Sequence, residues 1–249
     1  MSGFSDEELE RYARHIIMRE IGGAGQKRLR SARVLLVGAG GLGAPAILYL
    51  AAAGVGRLGI VDDDVVSLSN LQRQVIHITT KIGQPKVESA KGFVQALNPN
   101  VEVVGHETRL TPENAETIIA EYDIVVDGSD NFDTRYMVNE VVSRLGKTLV
   151  SAAISQWEGQ LSVYSPDAPC YACVFPERPA DGLAPSCAEA GVIGPMAGVL
   201  GCMAATEVVK LITNSGRPLK GRLLIYDALD ADVRVFQTAR RDGCEVCGG

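Results

Sequence analysis

A six-residue run, Gly38-Ala-Gly-Gly-Leu-Gly43, limits what this chain can fold into more than any other feature. Gly38, Gly40 and Gly43 make a G-x-G-x-x-G, with Gly41 as a fourth glycine. The preceding run, 32–37, is apolar and reads as a short buried strand. The following run, 44–54, reads as a helix with Pro45 in its first turn and Gly54 at its end. Glycines at a strand-to-helix junction permit a tight turn and let backbone approach a phosphate at the helix N-terminus. A second strand, 57–62, ends at Asp62, 19 residues after Gly43, where a carboxylate accepts the two hydroxyls of a ribose. Strand, loop, helix and acid in register predict a nucleotide, though not which one.

The same alternation continues. A helix is expected at 86–97, stopped by Asn98 and Pro99, then a strand at 101–107 and a helix at 114–120. A strand at 123–127, a helix at 134–145 and a strand at 148–153 follow. Such a pattern implies a mostly parallel sheet with right-handed crossovers. Beyond it, 159–164 and 221–227 read as hairpin-forming strands. They are separated by a Pro/Asp/Gly-rich loop (176–186) and an apolar helix (192–212). At the front, 5–30 reads as helix, opened by a Ser5/Glu8 capping box and broken at 22–25 before a second short helix at 26–30. The expected class is α/β: a Rossmann-like sheet with a parallel N-terminal half and antiparallel C-terminal strands, preceded by N-terminal helices. The 249 residues suit one domain.

Charge narrows the partners. A formal net charge of −6 argues against non-specific binding to nucleic acid or an anionic membrane. The apolar run 192–212 contains Pro195, Glu207 and Lys210 and is built from Gly and Ala, so a tightly packed internal helix is expected rather than a membrane span. No basic start followed by an apolar run marks a signal peptide, and a cytoplasmic, reducing setting is the default.

The loop after the second strand separates candidate nucleotides. Asn70, Arg73, Gln74 and Lys86 place amides and two cations beyond the ribose. A dinucleotide has only a pyrophosphate there, already cradled by the glycines, whereas two further cations suit a triphosphate. The fourth strand runs into Asp127-Gly-Ser-Asp130-Asn131. With strand order 3-2-1-4, Asp130 faces the glycine loop, where a carboxylate holds Mg²⁺ bridging phosphates. Taken singly, Asn70 and Asp130 also fit as turn residues and Lys86 as a solvated helix start.

Six cysteines are present, and four form the pairs Cys170-x-x-Cys173 and Cys244-x-x-Cys247. Four thiolates so spaced are the ligand set of a closed tetrahedral zinc site, structural because no position stays open. Cys202, inside the apolar helix, reads as a small buried residue.

Together, 38–43, Asp62, Ser69-Asn70-Leu-Gln-Arg73, Gly83-Gln-Pro-Lys86 and Asp130-Asn131 resemble the MoeB/ThiF family, bacterial relatives of ubiquitin-activating enzymes. The resemblance spans the chain, from Arg11-Tyr-Ala-Arg14 to Cys244-Glu-Val-Cys247, and is nearest the molybdopterin-synthase branch. It implies one adenylating domain: a helical arm (1–30), a nucleotide-binding half (31–154) and a carrier-binding and zinc half (155–249). It also implies that Asp62 binds ribose, Arg73 and Lys86 bind phosphates, and Asp130 ligates Mg²⁺. Arg14 would reach into the partner's site in a homodimer. Cys187 aligns with a cysteine that in some members forms thioester or persulfide links and in others is dispensable. The implied reaction is ATP-dependent adenylation of the C-terminal Gly-Gly of a small ubiquitin-like sulfur carrier, with sulfur from a separate donor. The molybdenum-cofactor carrier comes first, the thiamine-pathway and tRNA-thiolation carriers next. An NAD-dependent dehydrogenase would also use the glycine loop, but His15, His77 and His106 fall in a helix, a loop and a strand, and none reads as a catalytic acid. A non-catalytic zinc-stabilised subunit predicts damaged phosphate-binding residues, and none is seen.

Overall fold

The structure, a computed structural model, describes residues 3–179 and 190–248. The chain opens with α1 (Asp6–Arg11), α2 (Ala13–Ile16) and α3 (Gly22–Ser31). The Ser5 hydroxyl accepts from the Glu8 N–H at 3.1 Å, and the Ser5 N–H donates to Glu8 Oε2 at 2.8 Å, so the capping box forms. The break expected at 22–25 is not there. Those glycines form the first turn of α3, and the chain is interrupted earlier, at Tyr12 between α1 and α2 and over 17–21 between α2 and α3. Tertiary packing overrides glycine's poor propensity. A Cβ on Gly25 would come within 2.9 Å of Ile21 Cγ2, so the absent side chain lets the helix seat closely. Tyr12 is buried, and its hydroxyl accepts from Asn98 Nδ2 at 2.8 Å, anchoring the arm to the body.

Strands β1 (Arg33–Val37), β2 (Arg57–Val61), β3 (Glu102–His106), β4 (Ile124–Asp127) and β5 (Thr148–Ser155) pair in parallel. They are joined through α4 (Gly43–Ala52), α5 (Lys86–Leu97), α6 (Pro112–Ala120) and α7 (Phe132–Arg144). After them β6 (Glu158–Tyr164), β7 (Arg222–Asp227) and β8 (Asp232–Gln237) add antiparallel. One sheet results, ordered β3-β2-β1-β4-β5-β6-β7-β8, as the alternation predicted for its parallel half. β8, an exposed edge strand, is an addition to the two C-terminal strands expected.

Central β1 is covered on both faces, as parallel strands are. Val34 and Leu36 enter one core with α4, while Leu35 and Val37 enter the other with Val138, Val141 and Val142 of α7. A short α8 (Tyr171–Val174) follows β6, and α9 (Gly194–Thr213) fills the expected apolar run. Among the described residues α9 is the one helix long and apolar enough to cross a membrane, and half of its most apolar stretch is buried in the protein. It crosses α4 closely at Gly201, where a Cβ would stand 2.3 Å from Pro45 Cγ and 2.5 Å from the Leu42 carbonyl oxygen.

Candidate active site

The crevice lies where strand order reverses, between the C-terminal ends of β1 and β4. Gly38 turns the chain out of β1 with φ +93°, a left-handed backbone that glycine adopts without strain. Gly43 begins α4, and a Cβ there would collide with the Gly38 carbonyl oxygen at 1.9 Å, so only glycine lets helix and strand meet this closely. The turn after β4 closes the other side: its Gly128 would place a Cβ 3.1 Å from that of Leu42.

A cavity of about 680 Å³ opens over this junction. Gly38, Gly40, Gly41, Asp62, Arg73, Lys86, Asp130 and Asn131 all line it. Five separate segments therefore bring their predicted residues to one space. Arg73 runs beside the glycines, its Cδ 3.6 Å from where a Cβ on Gly41 would stand, and its Nη1 donates to the Ser69 carbonyl at 3.1 Å. Lys86, at the start of α5, is buried with Nζ 2.7 Å from Asp64 Oδ2 and 4.0 Å from Asp62 Oδ1. Asn131 caps α7, its Oδ1 accepting from the Thr134 N–H at 2.9 Å, which fixes the loop carrying Asp130.

Asp62 accepts from the N–H of Ala39 at 2.8 Å and of Asp64 at 2.9 Å. Burial pushes its carboxyl above the usual range, against the pull of Lys86 and these two N–H groups. Each oxygen keeps a lone pair for a ribose hydroxyl. Beneath the floor, Asp127 is wholly buried and raised by that burial, with Arg135 and Ser129 acting in the opposite direction. Arg135, which also lines the cavity, donates to the Ser129 carbonyl at 2.6 Å.

Ser69 and Asn70 do not line the cavity. They form the 3-10 turn Leu68–Asn70, where Asn70 Oδ1 accepts from the Ser67 N–H at 3.1 Å and so shapes the loop that delivers Arg73. Arg14 is exposed on α2 and is not among the lining residues of its own chain's cavity. Cys187 lies outside the described residues. Sequence reasoning passed over Arg135, Gln160 and Glu158, which the cavity includes. Arg135 had a local signal, standing in the first helical turn after the Asp130 loop.

The second site is sulfur. Cys170, Cys173, Cys244 and Cys247 place their Sγ atoms within 4.8 Å of one another. The Sγ separations are 3.8 Å for Cys170–Cys173, 3.7 Å for Cys170–Cys244 and 3.4 Å for Cys173–Cys247, far from a disulfide bond. A tetrahedron with metal–sulfur bonds of about 2.3 Å has edges of about 3.8 Å, so the four thiols fit a metal ion. Burial pushes Cys170 up to about 12, whereas Cys244, despite burial, is held at about 6 by the Cys247 and Val246 N–H groups. A cation resolves the conflict of four clustered sulfurs that cannot all ionise unaided.

The sequence profile of the ThiF family matches residues 12–246. The chain is 53% identical over 241 residues to the SAMP-activating enzyme E1 of Haloferax volcanii, covering 97% of this chain and 89% of that protein. It is 49% identical over 251 residues to a sulfur carrier protein adenylyltransferase of Thermus thermophilus, covering 98% and 93%. The fold is similar to that of E. coli MccB crystallised with ATP, at a TM-score of 0.84 and 22% identity, covering 96% of this chain and 75% of that one.

Proposed function

The chain belongs to the ThiF family, and from that premise we propose that it adenylates the C-terminal glycine carboxylate of a small ubiquitin-like sulfur carrier. It is an ATP-using adenylyltransferase. One observation carries the reading: Arg73, Lys86 and Asp130, from three distant segments, line the same cavity as the glycine loop.

The chemistry follows from those groups. A carboxylate oxygen of the carrier attacks the α-phosphorus of ATP. The bond from that phosphorus to the bridging oxygen breaks, pyrophosphate leaves with the electron pair, and an acyl-adenylate remains. The nucleophile is already ionised, so no general base is required. What the protein supplies is position and charge. The glycine loop and the start of α4 cradle phosphate. Lys86 exchanges its pairing with Asp64 for a phosphate, and Arg73 adds a second cation. Asp62 accepts from the ribose. Asp130 is the residue that would hold Mg²⁺, which neutralises phosphate charge when bound.

Several finer assignments belong to the same proposal. Zinc is the metal of the four-thiol cluster, since sulfur ligands at tetrahedral spacing suit it, and a reducing cytoplasm keeps those thiols available. The division into an arm (1–30), a nucleotide half (31–154) and a carrier and zinc half (155–249) follows the change from parallel to antiparallel strands. The enzyme works as a homodimer, with Arg14 entering the partner's cavity; exposed Ile17, Met18, Leu68 and Val75 supply apolar surface for that contact. Sulfur comes from a separate donor, since forming the adenylate transfers no sulfur. Forming the adenylate needs no thiol, so Cys187 either forms a thioester or persulfide link afterwards or is dispensable. The acceptor is the small subunit of molybdopterin synthase.

ATP–pyrophosphate exchange with carriers ending in Gly-Gly tests the reading. Exchange should require the carrier, and Asp130→Ala should lower it at least about 100-fold with an unchanged melting temperature. No exchange with any such carrier, Mg²⁺ and zinc being present, would sink the function. Preference for a thiamine-pathway or tRNA-thiolation carrier would reassign the acceptor.

A further inference from the structure

His77 lines no part of the cavity, yet it touches three of the segments that build the phosphate end: the glycine loop, the Arg73 loop and α5. It is buried, 4% exposed, in the loop that carries Arg73 and Gln74, and its own N–H donates to the Gln74 carbonyl at 3.0 Å. Its Nε2 lies 3.0 Å from the carbonyl oxygen of Ala39, the second residue of the glycine loop. Its Nδ1 lies 2.9 Å from the hydroxyl of Ser89, in the turn of α5 that follows Lys86. A carbonyl only accepts, so Nε2 carries the proton, and Nδ1 accepts from the Ser89 hydroxyl. A neutral ring with both nitrogens satisfied results.

The peptides on both sides of Ala39 are thereby held, the Gly38–Ala39 N–H by Asp62 Oδ2 and the Ala39–Gly40 carbonyl by His77. They lead into Gly40 and Gly41, whose backbone must face the phosphates. Ser89 meanwhile ties the ring to α5, whose Lys86 N–H donates to the Asp64 carbonyl at 2.9 Å. Glycine loop, Arg73 loop and Lys86 helix are thus fixed at set distances by one imidazole.

We infer that His77 is a positioning residue for ATP: it braces the glycine loop against α5 so that loop amides, Arg73 and Lys86 converge on one triphosphate. The inference rests on the adenylating reading of the cavity. It predicts a defect in nucleotide affinity, not a general loss of fold.

Calorimetric titration of the full-length chain with ATP is the test, with melting temperature as the control for folding. His77→Phe keeps a ring but removes both hydrogen bonds, and the Kd for ATP should rise about tenfold, the scale of one or two net hydrogen bonds. His77→Gln, whose amide N–H can still donate to the Ala39 carbonyl, should recover most of that loss. Ser89→Ala severs only the α5 link and should raise Kd about threefold. In the exchange assay the loss should fall on KM for ATP, with kcat held within about twofold. Wild-type affinity in folded His77→Phe or in Ser89→Ala overturns the role of His77 alone. Equal losses in His77→Gln and His77→Phe overturn it as well, because ring shape and not the hydrogen bond would then matter. If His77→Phe does not fold, Ser89→Ala decides: a threefold rise in Kd, about one net hydrogen bond, supports the role and wild-type affinity overturns it. Failure of the wild-type chain to bind ATP overturns both this role and the adenylating reading.

Discussion

The buried titratable groups around the glycine loop give the site a pH signature. Burial lowers His77 from its ordinary 6.5, with Lys86 acting in the same direction and Asp62 against it. Burial lowers His106 likewise, against Glu121. Each imidazole stays neutral in the fold while the unfolded chain takes up a proton. Stability is therefore full above pH 6.5 and falls as pH drops through and below it, by up to about 1.4 kcal/mol per pH unit for each ring. Asp62 and Asp127, raised by burial, have the opposite sign, contributing at low pH and losing that contribution as pH rises through their folded values. Thermal midpoints of wild type and His77→Gln across pH 8 to 5 (about the range in which histidine titrates) should converge at the acid end, and parallel curves would contradict this. At this scale Asp62, Arg73, Lys86 and Asp130 were legible in the sequence because each sits at a fixed offset from a strand end or helix start. His77 was not: its partners Ala39 and Ser89 lie 38 and 12 residues away, and no local pattern joins them.

Elements are held by close approach as much as by apolar area. Gly201 lets α9 lie on α4, and Gly92 stands on the open face of α5 with nothing within 4 Å of its would-be Cβ. The same substitution should have opposite effects at the two. Gly201→Ala should destabilise by about 1–3 kcal/mol through overpacking, and Gly92→Ala should stabilise by about 0.5–1 kcal/mol through reduced backbone entropy. Denaturant midpoints measured on both variants check the pair of signs. The four-thiol cluster is the other fastening. It joins the α8 turn to the chain's last described residues, and α7 touches the same turn where Asn139 Oδ1 accepts from the Tyr171 N–H at 2.8 Å. If the four thiols hold the proposed zinc, removing it with a chelator should lower the melting temperature by several degrees. ATP exchange at 25 °C should persist until the protein begins to melt, and its immediate loss would make the metal part of the catalytic apparatus. The helices and the parallel strands were readable from periodicity. The glycine-rich start of α3 was not, because its stability comes from packing rather than propensity.

At the scale of the whole molecule, the proposed homodimer makes its own prediction. If Arg14 of one subunit completes the cavity of the other, Arg14→Ala and Asp130→Ala should each be inactive alone and regain exchange on mixing, since one site per heterodimer then holds both wild-type residues. Mixtures as inactive as the separate variants, after subunit exchange is demonstrated by a mass or fluorescence shift, would place Arg14 outside the site. The sequence by itself determined the nucleotide-binding βαβ unit, the parallel-then-antiparallel order and the sulfur ligand set. Each of these is written in contiguous runs: glycines between a strand and a helix, an acid at a strand end, cysteines three apart. Only the tertiary structure decided that Asn70 and Ser69 shape a loop beside the cavity instead of lining it, that Arg14 is exposed and does not line its own chain's cavity, and that β8 adds an exposed edge strand. It alone brought Arg135 and Glu158 to the cavity and His77 beneath it. These outcomes depend on groups brought together from distant parts of the chain, and packing and hydrogen bonding settle them after local preference has had its say.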